Sequence, residues 1–135
     1  MGSAGKWSGK HSMDLDTAWT WTQLPAMSVA RFSCCGCLMS DSRFTVLGGI
    51  TSSGDSSSCE ALVVTEGGHW VSHPPMHHAR RSYVCAAVAG YIIVAGGHDT
   101  SGSAEVHDEV LNRWTRLPYD LPGVDTVHTI CRDLL

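Results

Sequence analysis

Lysine is almost missing from this chain. Its two lysines, Lys6 and Lys10, lie in the first ten of 135 residues, and lysine plus arginine number nine against thirteen aspartates and glutamates. A formal net charge of −4 argues against the clustered basic surface on which nucleic acid is normally held. Large apolar residues are also scarce. Leucine, isoleucine, valine and phenylalanine number 28, about 21%, just above the level at which chains stay disordered. No run approaches the ~18 consecutive apolar residues of a membrane span, and the opening MGSAGKWSGKHS lacks the apolar stretch of a signal peptide. A cytoplasmic or nuclear protein is expected, with its six cysteines as reduced thiols.

Turn formers are plentiful. Glycine, serine and proline number 35 and predict a lean core interrupted by many loops. The chain also repeats itself. Residues 21–49 read WTQLPAMSVARFSCCGCLMSDSRFTVLGG, and residues 70–97 read WVSHPPMHHARRSYVCAAVAGYIIVAGG. Trp21, Met27 and Arg31 return at Trp70, Met76 and Arg80, each 49 residues on, and Gly48-Gly49 returns at Gly96-Gly97 after 48. A Ser/Gly/Asp loop, a glutamate (Glu60, Glu105) and a tryptophan (Trp70, Trp114) follow each glycine pair. A third copy starts at Trp114 with WTRLPYDLP. Anchors kept in order at one period mark a repeat architecture.

Each copy reads as β throughout. Phe44–Leu47 and Tyr91–Ala95 are apolar runs bounded by turn residues and too short for helices. Residues 33–38 and 82–88, rich in Cys, Ala, Val and Gly, predict a strand in a crowded place. Residues 59–65 and 104–107 supply a third strand, and Trp70 and Trp114 open a short fourth one. Four strands in about 45–50 residues is the arithmetic of a propeller blade.

These residues resemble the kelch-repeat family over about residues 12–131, and VAGGHDTSGSAEVHDEVLNRWTRLPYDLP with TQLPAMSVAR are similar to blades of plant-type F-box/kelch proteins. The resemblance implies an all-β, kelch-type β-propeller fragment: two complete four-stranded blades plus partial flanking blades. Blade units of about 21–69 and 70–113 are expected within a domain at 12–135, with a third unit from 114 and a disordered segment at 1–11. A leading strand is expected at 13–21. In the family, an F-box upstream contacts a ubiquitin-ligase scaffold and the propeller selects the protein to be ubiquitinated; residues 1–20 are too short and polar for an F-box. The structural anchors implied are Trp21, Gly48, Gly49, Trp70, Gly96, Gly97 and Trp114, the tryptophans filling gaps between blades and the glycines allowing close approach.

The resemblance places Arg31 and Arg80 near the mouth of the central channel, where a guanidinium can grip an acidic peptide bidentately. Both repeat in step with Glu60 and Glu105, so an ion pair within or between blades is the competing reading. Arg81 has no counterpart, since Phe32 stands there, and is the stronger ligand candidate. Loops 51–58 and 98–103 would open on one face, where binding residues concentrate; Ser52, Ser53, Asp55, His98 and Asp99 are the candidates there, with His77 and His78 beside them. His69, His73, His77 and His78 do not make a convincing metal site, because Pro74-Pro75 and Trp70 hold an extended path that separates them. Cys34, Cys35 and Cys37 lack the paired C-x₂-C halves of a zinc site and read as small core residues.

A non-catalytic protein-interaction module is therefore the leading expectation, with no cofactor and no metal, and with ubiquitin-ligase components as partners in a longer form. The rival is an enzyme on the same scaffold, a copper oxidase or a small-molecule isomerase or lyase. No G-x-S-x-G, H-E-x-x-H or P-loop pattern supports it. A truncated product without independent function is the third reading, since two blades alone would leave edges and apolar faces open to self-association.

Overall fold

The computed structural model describes residues 8–10, 18–100 and 102–118. Residues 119–135 of the third unit expected from 114, and most of the N-terminal segment expected at 1–11, lie outside the described residues. Within them the chain is all-β, and no helix is long and apolar enough to cross a membrane. The strands are β1 (Ser8–Lys10), β2 (Ala18–Thr20), β3 (Cys35–Leu38), β4 (Phe44–Leu47), β5 (Ile50–Thr51), β6 (Gly54–Asp55), β7 (Cys59–Val63), β8 (His69–His73), β9 (Val84–Val88), β10 (Tyr91–Ala95), β11 (Ala104–Asp108) and β12 (Arg113–Arg116).

Two four-stranded antiparallel sheets carry the architecture, in the orders β3-β4-β7-β8 and β9-β10-β11-β12. Their registers correspond. Cys35 pairs with Leu47 as Val84 pairs with Ala95, and Val46 pairs with Glu60 as Val94 pairs with Glu105. The sequence repeat is thus a repeat of hydrogen-bonded sheets. Its phase differs from the expected units at 21–69 and 70–113. Trp70 sits in the last strand of the first sheet and Trp114 in the last strand of the second. A hairpin through the short 3₁₀ turn Thr65–Gly67 ties β8 back to β7, whereas residues 74–83 cross from β8 to the start of the next sheet. Sequence similarity has no phase; hydrogen bonding does.

Several strand ends also differ from expectation. Ser33 and Ser82 are excluded from their strands by left-handed backbones, φ 52° and 51°, and the Ser82 N–H donates to Ser33 O at 3.0 Å. The third strand stops at Val63 because the turn begins beyond it, with Glu66 at φ 55°. Ser8–Lys10, inside the stretch expected to be without structure, is a strand. It pairs with Ala18–Thr20, the described part of the expected leading strand.

The core lies between the two sheets. Cys37, Leu47 and Cys59 of the first sheet and Met39 of its β3–β4 turn meet Met76 and Tyr83 of the crossover and Ile92, Val94 and Trp114 of the second sheet. The Tyr83 hydroxyl donates to Leu47 O across the interface. Burial raises the Tyr83 hydroxyl pKa and pushes the Cys59 thiol up to about 12, so both stay protonated. Of the expected glycine anchors, Gly48 and Gly49 are required twice over. Both have positive φ, and a Cβ on either would lie within 2.8 Å of a backbone carbonyl oxygen, Arg80 O or Phe32 O. Gly97 likewise faces Arg81 O at 2.9 Å, whereas Gly96 has open space and needs glycine only for its φ of 73°.

Trp114 is buried between the sheets against His73 and His107. Trp21 is 67% exposed and fills no gap between the sheets, which corrects its expected role. The segment carrying it is bound instead through Pro25, whose carbonyl accepts the Trp70 indole N–H at 2.7 Å; Pro74 O accepts that of Trp114 at 2.8 Å.

Candidate functional site

Antiparallel order puts the β4–β7 and β10–β11 connections at the same end of the sheets as the segments leading into β3 and β9. All ten candidate binding residues therefore lie at one end of the stack. They do not share one role.

Arg31 and Arg80 are structural. The Arg80 side chain is fully buried: Nη1 donates to Gly96 O and Ser103 O, both at 2.8 Å, and Nη2 to Ser103 Oγ at 2.9 Å and Glu105 Oε2 at 3.0 Å. Arg31 repeats the set on Gly48 O (2.8 Å), Ser58 O (2.9 Å), Ser58 Oγ (3.2 Å) and Glu60 Oε2 (3.0 Å), its side chain likewise inaccessible. Each glutamate also takes a backbone N–H from the lead-in, Glu60 from Ser28 at 2.9 Å and Glu105 from His77 at 2.6 Å. Burial works to raise the Glu60 carboxyl, but the Ser28 N–H and the Arg31 guanidinium outweigh it and hold it below the usual carboxylate range. The peptide-gripping role expected of these two arginines is corrected. Each instead clamps the glycine loop, the third strand and the lead-in of its own sheet.

His77 and His78 are held by the same glutamate through their backbones; the His78 N–H donates to Glu105 Oε2 at 3.2 Å. The His77 ring lies 3.2 Å from Trp114 O, so its side chain is engaged as well. The histidine row is dispersed: His69 is exposed, whereas His73 is buried and packed against His107, with ring centroids 4.3 Å apart and ring planes tilted by 51°. Among the described residues no group of three His, Cys, Asp or Glu side chains can hold a metal ion.

Arg81 differs. Among the described residues its guanidinium makes no hydrogen bond; it pairs with Asp55, with Nε 3.4 Å from Oδ1 and both side chains about one-third exposed. Asp55 lies in the small β5–β6 hairpin, where Ser52 and Ser53 are exposed at the turn. The Arg81 carbonyl accepts the His98 N–H at 3.2 Å, and His98 lies 3.2 Å from Asp99 at an exposed tip. Arg81, Ser52, Ser53, Asp55, His98 and Asp99 are thus neighbours on two loops that rest on the buried clamps. The mixture is polar and solvated, and it contains no nucleophile–base pair.

Two features escaped the residue-level reading. One is the His73–His107–Trp114 cluster between the sheets, which is legible only when β8 and β11 are placed together. The other is an open cleft of about 500 Å³ on the outer flank of the first sheet, lined by Pro25, Val29, Arg31, Glu60 and Trp70 among others. The recurrence of Pro25 and Pro74 two residues before Met27 and Met76 was the signal for its framework.

No protein-family model matches the chain, and no curated protein sequence matches it. Among solved structures it resembles that of YjhT, with a TM-score of 0.59 at 18% identity over 73% of this chain. The match covers 30% of that structure, so the chain spans less than a third of its length. At this identity the likeness concerns fold alone.

Proposed function

We propose that the chain is a non-catalytic protein-interaction module built from kelch-type propeller blades, and that it docks an acidic segment of a partner protein on Arg81. The observation that carries this reading is the contrast among three arginines at one end of the sheets. Arg31 and Arg80 turn their guanidinium groups inside the fold, whereas the Arg81 guanidinium makes no hydrogen bond among the described residues and lies 3.4 Å from Asp55. A pair that exposed contributes little, about 0–1 kcal/mol, so an incoming carboxylate can replace Asp55 at small cost. The kelch-type reading rests on the repeated sequence anchors, and the two four-stranded antiparallel sheets and the fold likeness to a longer structure are compatible with it. In a longer form the module would serve as the substrate-recognition part of a ubiquitin ligase, a role that rests on resemblance to F-box/kelch proteins.

The test is affinity capture with the intact chain, alongside Arg81→Glu and Val110→Asp as variants. Val110 is exposed in the turn between β11 and β12, at the opposite end of the sheets. One dominant partner captured by the wild type and Val110→Asp, and lost with Arg81→Glu, supports the reading. Equal recovery with all three would sink it, as would bound copper or turnover in the purified protein.

A second reading, self-association, is favoured by one comparison. Phe44 in the first sheet occupies the register position that Ile92 holds in the second, yet Phe44 is 42% exposed and Ile92 fully buried. The outer face of the first sheet lacks the cover that the first sheet provides for the second. A second copy of the chain would cover it, and sedimentation would then show oligomers that Phe44→Asp disperses. A monomer that melts cooperatively would exclude this.

A further inference from the structure

Cys35 and Cys37 stand two apart on β3 and so point to one side of that strand. Cys85 stands on β9, the first strand of the neighbouring sheet, at the position matching Gly36. The two strands lie against each other, and Cys35 and Cys85 both pack against the core between the sheets. Their contacts are reciprocal. Cys35 Sγ lies 3.1 Å from Tyr83 O, next to Val84 and Cys85, and Cys85 Sγ lies 3.8 Å from Gly36 O, next to Cys35 and Cys37. All are free thiols, and Cys35 and Cys85 are only half-buried, within reach of a small oxidant.

We propose that Cys85 and Cys35 form a reversible disulfide under peroxide, a redox clamp between the first strands of the two sheets. The Cys85 side chain lowers the pKa of both Cys35 and Cys37, but Cys37 is buried and Cys35 is partly open to solvent, which makes Cys35 the attacking sulfur. The Cys35 thiolate displaces hydroxide from hydrogen peroxide, breaking the O–O bond and leaving a sulfenic acid. The Cys85 sulfur then attacks the sulfenic sulfur; the S–S bond forms, the S–O bond breaks, and the hydroxide leaves with the Cys85 proton as water. The two thiols lose two electrons, the peroxide gains two, and two waters result. The bridge joins strands that only side-chain packing and a few hydrogen bonds otherwise hold together, so it opposes separation of the sheets.

Trypsin separates the partners. Cleavage after Arg31, Arg43, Arg81 and Arg113 puts Cys34, Cys35 and Cys37 on peptide 32–43 and Cys85 on peptide 82–113. The intact chain is treated with hydrogen peroxide, alkylated after denaturation and digested without reductant. Mass spectrometry is expected to find the two peptides joined, two hydrogens lighter than their sum, with fragment ions assigning the bridge to Cys35. Free thiols fall from six to four, and dithiothreitol restores them. Cys85→Ser abolishes the link and Cys34→Ser keeps it. Oxidised wild type melts at a higher temperature than reduced wild type, and Cys85→Ser loses that rise. Recovery of Cys85 as the alkylated thiol, or a bridge to Cys34 or Cys37, would overturn the assignment. A bridged protein that melts no higher than the reduced one would overturn the clamp.

Discussion

Arg80 holds Glu105 through two nitrogens on one oxygen, Nη2 at 3.0 Å and Nε at 3.3 Å from Oε2, with both side chains fully buried. Its counterpart pair is less complete: Arg31 reaches Glu60 through Nη2, its Nε has no partner, and Glu60 keeps 9% of its side chain exposed. Removing one partner of a buried pair costs far more than the pair contributes, because the other charge is stranded. Arg80→Ala is therefore expected to destabilise by about 3–5 kcal/mol. Arg31→Ala should cost less, since water can reach Glu60. Urea unfolding of the two variants checks the order.

The interface should also be acid-sensitive. Burial, then repulsion from His107, lowers His73 to about 4 from its ordinary 6.5, despite the opposing contact with Pro74 O. Burial likewise lowers His107, against its hydrogen bond to Asn112. A histidine kept neutral by folding contributes no pH dependence above its unfolded value. As pH falls from 6.5 toward 4, the unfolded chain takes up the proton and the folded chain does not, so stability drops by about 3 kcal/mol for His73 alone. His73→Phe should flatten the denaturant midpoint over that window.

The two glycine pairs should respond unequally to alanine. At Gly96 only the left-handed backbone resists, at about 1–2 kcal/mol. At Gly48 the added carbon would also meet Arg80 O at 2.8 Å and Ser56 O at 2.9 Å, both backbone. Gly48→Ala should be the more damaging by an amount that thermal melts can resolve.

Tryptophan replacement separates the sheets in a similar way. Trp114 is buried and shares Pro74 O with His73 Nδ1, whereas Trp70 sits half-exposed on the open flank. Trp114→Phe should cost about 1–3 kcal/mol through a lost buried hydrogen bond and lost packing. Trp70→Phe should cost less, which calorimetry of the pair checks.

How much of this was legible differs from residue to residue. A strand's side-chain alternation and its bounding turns are local, so the β character, the four strands per copy and the glycine pairs could be read from the 48- to 49-residue period. Pairing Arg31 with Glu60 and Arg80 with Glu105 was readable as one of two options, because the four residues repeat in step. The chain's order alone could not choose between a clamp and a ligand-gripping pair. That choice depends on which way each guanidinium turns once the loop, the third strand and the lead-in converge. Phase was equally hidden, since a repeat can be cut anywhere, whereas a sheet ends where its hydrogen bonds end. The scarcity of large apolar residues described the composition of each copy; the tertiary structure decided where that thin material lies, between two sheets whose facing sides bury each other and whose outer flank stays open. Burial is a property of pairs of surfaces, and no single stretch of sequence contains both.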